Sequence, residues 1–286
     1  AFISNSTGLV HAQEKVYIIG TDTTYAPFEY VDEEGDFVGI DMDLLAAIAE
    51  DQGFEYEIQP MGFNAAVQAL ESQQVDAVMA AMGVTEERAQ SFDFSDEYFE
   101  TDTMFAVRSD SEFENLEDLE GQQVAVKTGT TGAAIAMERQ ADYGYTVIQF
   151  EDSVNMYEDV MVGNSAAAVE DYPVMAFAIN TGQVDFRVIG EPLDSVPLGV
   201  AVPKGENSDF LEMFNTGLAN LRESGEYDEI LDRYIGESAE NYAVDDSFFG
   251  QIKQNLRPLL SGLWATIYLS LISIAIFSRS SGSLSG

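Results

Sequence analysis

Val16-Tyr17-Ile18-Ile19-Gly20-Thr21-Asp22 decides how the rest of the chain is read. An apolar run at 16–20 ends on glycine and delivers a carboxylate two residues later, as a buried strand feeding a loop does. Downstream, Leu44, Leu45 and Ile48 fall at helical spacing within 41–52, and Gly53 closes that segment. The alternation continues with strands expected at 56–59, 77–81 and 103–108 and a helix at 64–72. A second unit begins after Leu119-Glu120-Gly121. It has strands at 124–127, 146–150 and 166–169 and helices at 132–140, 154–162 and 173–181. A strand at 198–202 and helices at 209–224 and 227–235 follow. Short apolar strands alternating with amphipathic helices predict an α/β architecture with largely parallel sheets.

Composition narrows the function. The 286 residues are 46% hydrophobic, enough for one large domain or two ordinary ones. Twelve Lys and Arg stand against 51 Asp and Glu, a net charge of −39 that repels nucleic acid. Only four of the cations are Lys, the surface expected of a protein kept soluble in high salt. Zero Cys removes disulfides, thiolate metal sites and Cys nucleophiles, and the one His, His11, precedes the first strand. No cofactor or metal is expected.

Both ends read as targeting segments. Residues 1–12 carry no Asp, Glu, Lys or Arg and finish in Val10-His11-Ala12, the pattern of a secretory signal remnant or of a plain N-terminal leader. Residues 259–277 form a charge-free run flanked by Lys253, Arg257 and Arg279, the length of a transmembrane helix. An acidic linker at 237–258 precedes it, and a Ser/Gly-rich tail at 278–286 follows.

Candidate chemistry sits behind the strands, where open α/β sheets bind ligands. Asp22 and Asp171 each follow a strand by two residues and can accept from an ammonium, although such residues also serve as caps and turns. The fork of Arg88 suits a carboxylate, with a surface ion pair as the alternative. Lys127-Thr128-Gly129-Thr130-Thr131-Gly132 opens a helix whose free N–H groups can hold an anion. Tyr25 and Phe63 are candidate aromatic walls or core residues, and Phe28 reads as core. No Ser lies three residues before a Lys, so a β-lactamase nucleophile is absent, as is a phosphate loop.

Ile19-Gly20-Thr21-Asp22-Thr23-Thr24-Tyr25-Ala26-Pro27-Phe28-Glu29, Gly39-Ile40-Asp41-Met42-Asp43-Leu44, Thr85-Glu86-Glu87-Arg88 and Glu170-Asp171-Tyr172-Pro173 resemble the polar amino-acid-binding proteins of ABC importers, of the glutamine-binding and lysine/arginine/ornithine-binding type. The resemblance runs from about 16 to 236. It implies a two-lobed clamshell of type II periplasmic binding protein fold, each lobe a mostly parallel sheet flanked by helices. Lobe 1 would comprise 13–100 and 196–236, and lobe 2 would comprise 101–195. The function implied is extracytoplasmic capture of a polar L-amino acid, glutamine first and then arginine or lysine, by hinge closure and without catalysis. Delivery to a permease fused at the C-terminus, with its partner ATPase, would follow. Arg88 and Thr131 would take the α-carboxylate, Asp171 and the Ala81 carbonyl the α-ammonium, and Tyr25 and Phe63 the aliphatic stem. Asp22 would hold the far end, with Lys127 touching side chain or carboxylate. Gly83 departs from the family's usual Ser or Thr and removes a hydroxyl from the ligand. A ligand-sensing ectodomain of a transmembrane receptor is the alternative, followed by a dehydratase-like enzyme on the same fold.

Overall fold

The computed structural model describes residues 15–32 and 34–236. The signal-like residues 1–12, the linker, the apolar run 259–277 and the tail lie outside them. In chain order the strands are β1 (Val16–Thr21), β2 (Thr24–Tyr25), β3 (Glu29–Val31), β4 (Phe37–Val38), β5 (Glu55–Pro60), β6 (Ala77–Val78), β7 (Phe92–Phe94), β8 (Phe99–Arg108), β9 (Gln123–Lys127), β10 (Thr146–Phe150), β11 (Ala167–Asp171), β12 (Phe186–Leu198) and β13 (Ala201–Pro203). The helices are α1 (Ile40–Gln52), α2 (Phe63–Glu71), α3 (Arg88–Ser91), α4 (Thr131–Tyr143), α5 (Ser153–Met161), α6 (Tyr172–Asn180), α7 (Ser208–Ser224) and α8 (Glu226–Ile235). None of the described helices is long and apolar enough to cross a membrane.

Two five-stranded sheets, in the orders β5-β1-β6-β13-β7 and β10-β9-β11-β8-β12, form the two lobes. A small sheet β2-β3-β4 accompanies the first. The sheets are mixed rather than mostly parallel. In the first, β13 runs antiparallel to both β6 and β7; in the second, β8 runs antiparallel to β11 and β12. The reversed strands are the ones that enter or leave a lobe. A chain that crosses between sheets returns in the opposite sense without a helical crossover.

The second sheet shows why its strands form. Phe105, Val107, Val124, Val126, Ala167 and Val169 pack on one face against α4, while Ala106, Ala125 and Ala168 pack on the other against α5 and α6. This is the period of two that puts successive side chains on opposite faces. In the first lobe Phe63, Ala66 and Leu70 of α2 cover Val78 and Ala201, and α1, α7 and α8 pack together.

The chain passes between the lobes twice. It leaves β7 for β8 and returns from β12 to β13, and β8 pairs with β12 from Arg108 opposite Phe186 to Phe99 opposite Leu198. The strand expected at 198–202 is therefore two. β12 ends at Leu198, the chain turns through Gly199 and Val200, and β13 starts at Ala201. Leu198, Val200, Ala201 and Val202 are all buried, so the apolar run continues across the turn and hides the break. The strand expected at 77–81 shortens to Ala77–Val78, and Ala81 takes a left-handed backbone (φ 45).

Gly217 lets α7 approach α1. A Cβ there would stand 2.8 Å from Cγ2 of Ile48 and 3.2 Å from Cγ of Gln52. Gly217→Ala is expected to overpack this contact and destabilise the fold by about 1–3 kcal/mol, despite alanine's better helix propensity. Urea unfolding followed by circular dichroism measures it, and an unchanged or raised midpoint would show that Ile48 yields freely.

Candidate functional site

The strand ends converge. β1 stops at Thr21 beside Asp22, β9 ends in Lys127, β11 ends in Asp171, and α4 begins at Thr131. Asp22, Tyr25, Phe63, Ala81, Gly83, Arg88, Lys127, Thr131 and Asp171 all line one cavity, with Ala80 and Thr130 completing its wall. Its free space is about 10 Å3, close to the least that holds a single water. The walls touch one another across the lobes, and those contacts fill it.

Asp171 occupies the N-cap position of α6 but makes no capping bond. Its Oδ2 instead accepts from the Tyr25 hydroxyl at 2.7 Å, so the side chain faces the cavity. Asp22 does both jobs: Oδ1 accepts from the N–H of Thr23 at 2.6 Å, and Oδ2 is paired with the Lys127 ammonium. Lys127 and Asp22 are 0% and 1% exposed. A lone charge at that depth is costly, which makes each the condition for burying the other. The ammonium also lies 4.6 Å from the centre of the Tyr25 ring.

Arg88 forms none of the observed ion pairs. Its Nη1 donates to the Gly83 carbonyl and its Nη2 to the Gly129 carbonyl, both at 2.7 Å, and the guanidinium sits 5.4 Å from the Phe63 ring centre. Of its five N–H donors one is thus used within lobe 1 and one to bridge the lobes, and three remain among the described contacts. Thr130 caps α4, accepting from the N–H of Ala133 at 3.1 Å, which leaves Thr131 as the first helical residue at the cavity wall.

Gly83 is a steric requirement as well as a lost hydroxyl. A Cβ at this position would stand 2.8 Å from both Cγ2 of Thr131 and Cγ1 of Val196. Both neighbours are short β-branched side chains with little room to turn away. Phe28, expected in the core, is fully buried and meets Phe99 edge-on with ring centres 5.2 Å apart.

Glu170 escaped the sequence reading. It is 2% exposed and accepts from Ser153 at 3.1 Å and Tyr157 at 3.3 Å. A charged residue directly after the apolar run Ala167-Ala168-Val169 was the available signal. Burial pushes its carboxyl up to about 7, against the pull of Lys127 and with Asp171 adding to the rise. Burial likewise raises Asp171 to about 6, opposed by the Tyr25 hydrogen bond and by Arg88.

For Glu170 the folded state holds a proton that the unfolded chain has already released, so its contribution is fully present below pH 4.5 and is lost as pH rises towards 7. Glu170→Gln removes that loss. Its stability relative to wild type is expected to improve by about 3 kcal/mol between acid and mildly alkaline pH. Denaturant melts across that range measure it, and parallel curves would mean that Glu170 ionises normally.

Residues 17–237 match the family model described as bacterial extracellular solute-binding proteins, family 3. The arginine-binding extracellular protein ArtP of Bacillus subtilis is 30% identical over 81% of this chain and 90% of its own length. The lysine/arginine/ornithine-binding periplasmic protein of Escherichia coli K12 is 30% identical over 76% of this chain and 86% of its own. Among solved structures, an ancestral arginine-binding protein bound to glutamine superposes with a TM-score of 0.73 at 35% identity, covering 79% of this chain and 100% of that one. These relatives are binding proteins rather than enzymes. With two mixed-sheet lobes, a cavity walled by both and a match that spans nearly all the described residues, the chain belongs to the bacterial extracellular solute-binding proteins, family 3.

Proposed function

We propose that this chain is an extracytoplasmic receptor for a polar L-amino acid, glutamine before arginine or lysine, that closes on its ligand and delivers it to an ABC permease. The observation that carries the ligand preference is the Lys127–Asp22 pair in the cavity wall. A neutral amide matches such a pair: its carbonyl accepts from the ammonium, and its NH2 donates to the carboxylate. A guanidinium or second ammonium would instead be brought up to Lys127, and like charges at close range repel. The rest of the wall suits an α-amino acid. Arg88 has three free donors beside the start of α4, and Asp171 lies with Ala81 in the same wall.

Entry requires the lobes to part, because about 10 Å3 does not hold an amino acid. The ligand then replaces contacts that the walls make with each other. Family membership supports the outer face of the membrane as the working place, and the similar arginine-binding proteins support a cationic ligand as the second choice, reached if Lys127 swings off Asp22.

Thermal unfolding in the presence of glutamine, arginine, lysine or histidine tests the reading, since a ligand of the folded state raises the melting temperature. Glutamine is expected to give the largest shift, and Lys127→Ala to move the preference towards arginine. No shift with any amino acid would overturn the receptor reading.

Arg88→Ala and Asp171→Ala are each expected to cost binding ~3 to 5 kcal/mol, by leaving a ligand charge buried without its partner. Titration calorimetry reads this loss. Wild-type affinity in both variants would remove these residues from the site.

A further inference from the structure

Behind the cavity wall lies a second cluster of carboxyl groups that ligand contact does not use. Glu29 of β3 and Asp41 of α1 are both 0% exposed, and their side chains are within hydrogen-bonding reach of each other. Asp41 Oδ2 accepts from the N–H of Ala81 at 2.8 Å and from the Tyr98 hydroxyl at 2.9 Å. Neither oxygen of Glu29, nor Oδ1 of Asp41, meets an N–H or hydroxyl donor among the described residues. With both groups ionised, acceptor would face acceptor and two charges would share a dry site. Repulsion and desolvation both oppose that. One retained proton resolves it.

We propose that Glu29 carries this proton and donates it to Asp41, and that Asp41 is thereby a positioning residue for Ala81 in the ligand cavity. Three donors then converge on Asp41, which stabilises its ionised form while Glu29 stays neutral. The charged and titratable groups facing the pair agree with this assignment. Burial, Asp41 and Asp22 push the Glu29 carboxyl well above its usual range, and Lys127 opposes them. Burial lifts Asp41 to about 7, held down by Ala81, Tyr98 and Glu29.

The position matters because Ala81 sits at φ 45, a backbone region that a non-glycine residue enters only when its surroundings hold it there. Asp41 supplies that hold through the Ala81 N–H. The same carboxylate grips Tyr98, whose N–H donates to the Leu198 carbonyl at 3.0 Å and whose carbonyl accepts from Tyr227 at 2.5 Å, where the chain crosses between lobes. One shared proton thus ties the cavity wall to the crossing. Because the folded state binds a proton that the unfolded chain releases, this contribution is present at low pH and is lost as pH rises through the folded range.

The effect on ligand rests on the receptor reading above, whereas the proton does not. At neutral pH, the infrared difference spectrum between wild type and Glu29→Gln is expected to show a protonated-carboxyl band that the variant lacks. The Ala81 amide resonance should titrate in wild type as Glu29 loses its proton with rising pH and stay fixed in Glu29→Gln, whose amide keeps a donor with no charge to gain. With L-glutamine and L-arginine as probes, Glu29→Leu is expected to weaken binding about tenfold and Glu29→Gln to restore it, because only the latter keeps a donor on Asp41. A missing band together with an Ala81 resonance that titrates alike in both proteins would overturn the proposal. If neither probe binds wild type, the receptor reading fails, and the band and the resonance still decide the proton. Should Glu29→Leu not fold, Glu29→Gln carries the test alone.

Discussion

A charge cannot be buried alone, and the centre of this molecule is organised around that constraint. Lys127 ends a strand of the second sheet, Asp22 follows a strand of the first, and neither is tolerable at its depth without the other. Their pairing requires the two sheets to face each other across the cavity. Tyr25 reaching Asp171 and Arg88 reaching the Gly129 carbonyl span the same gap. The lobes therefore meet through a set of polar contacts rather than through an apolar seam.

The connection between lobes is a paired but irregular ribbon. β8 and β12 run antiparallel through the crossing, and the pairing slips twice between Ile189 and Ser195. Strands interrupted by bulges bend more easily than regular ones. Beside this irregular pair, Tyr98 is held by buried partners at the root of the crossing in lobe 1. Gly83 lies opposite Leu198 at this same root, where Thr131 and Val196 close over it. A Cβ there would collide with both, which gives the glycine a steric reason of its own.

The interior inverts the surface. The chain carries −39 overall, yet two of its twelve cations stand in the cavity wall. Among the carboxylates facing them, Glu170 and Asp171 are raised by burial. The acidic exterior draws cationic solutes towards the protein in general, whereas the cavity wall sets its two cations among buried carboxyl groups.

Much of this was legible in the sequence, because period-two and helical spacing are local. The helices and most strands fall within a few residues of where those patterns put them, and the residues behind the strand ends do meet in one cavity. Tertiary structure alone decided the rest. Strand direction is absent from an apolar run, so the mixed sheets were not visible; a turn buried on both sides reads as one strand, so 198–202 concealed its break. β2 to β4 are too short for any period to show. Pairing is the deepest of these omissions. That Asp22 meets Lys127 depends on which faces approach when two sheets fold together, and no local pattern encodes an encounter between residues 105 positions apart. The sequence by itself determined which residues are charged and which elements carry them; the tertiary structure decided which charges are buried together, because desolvation exists only once distant parts of the chain have excluded water between them.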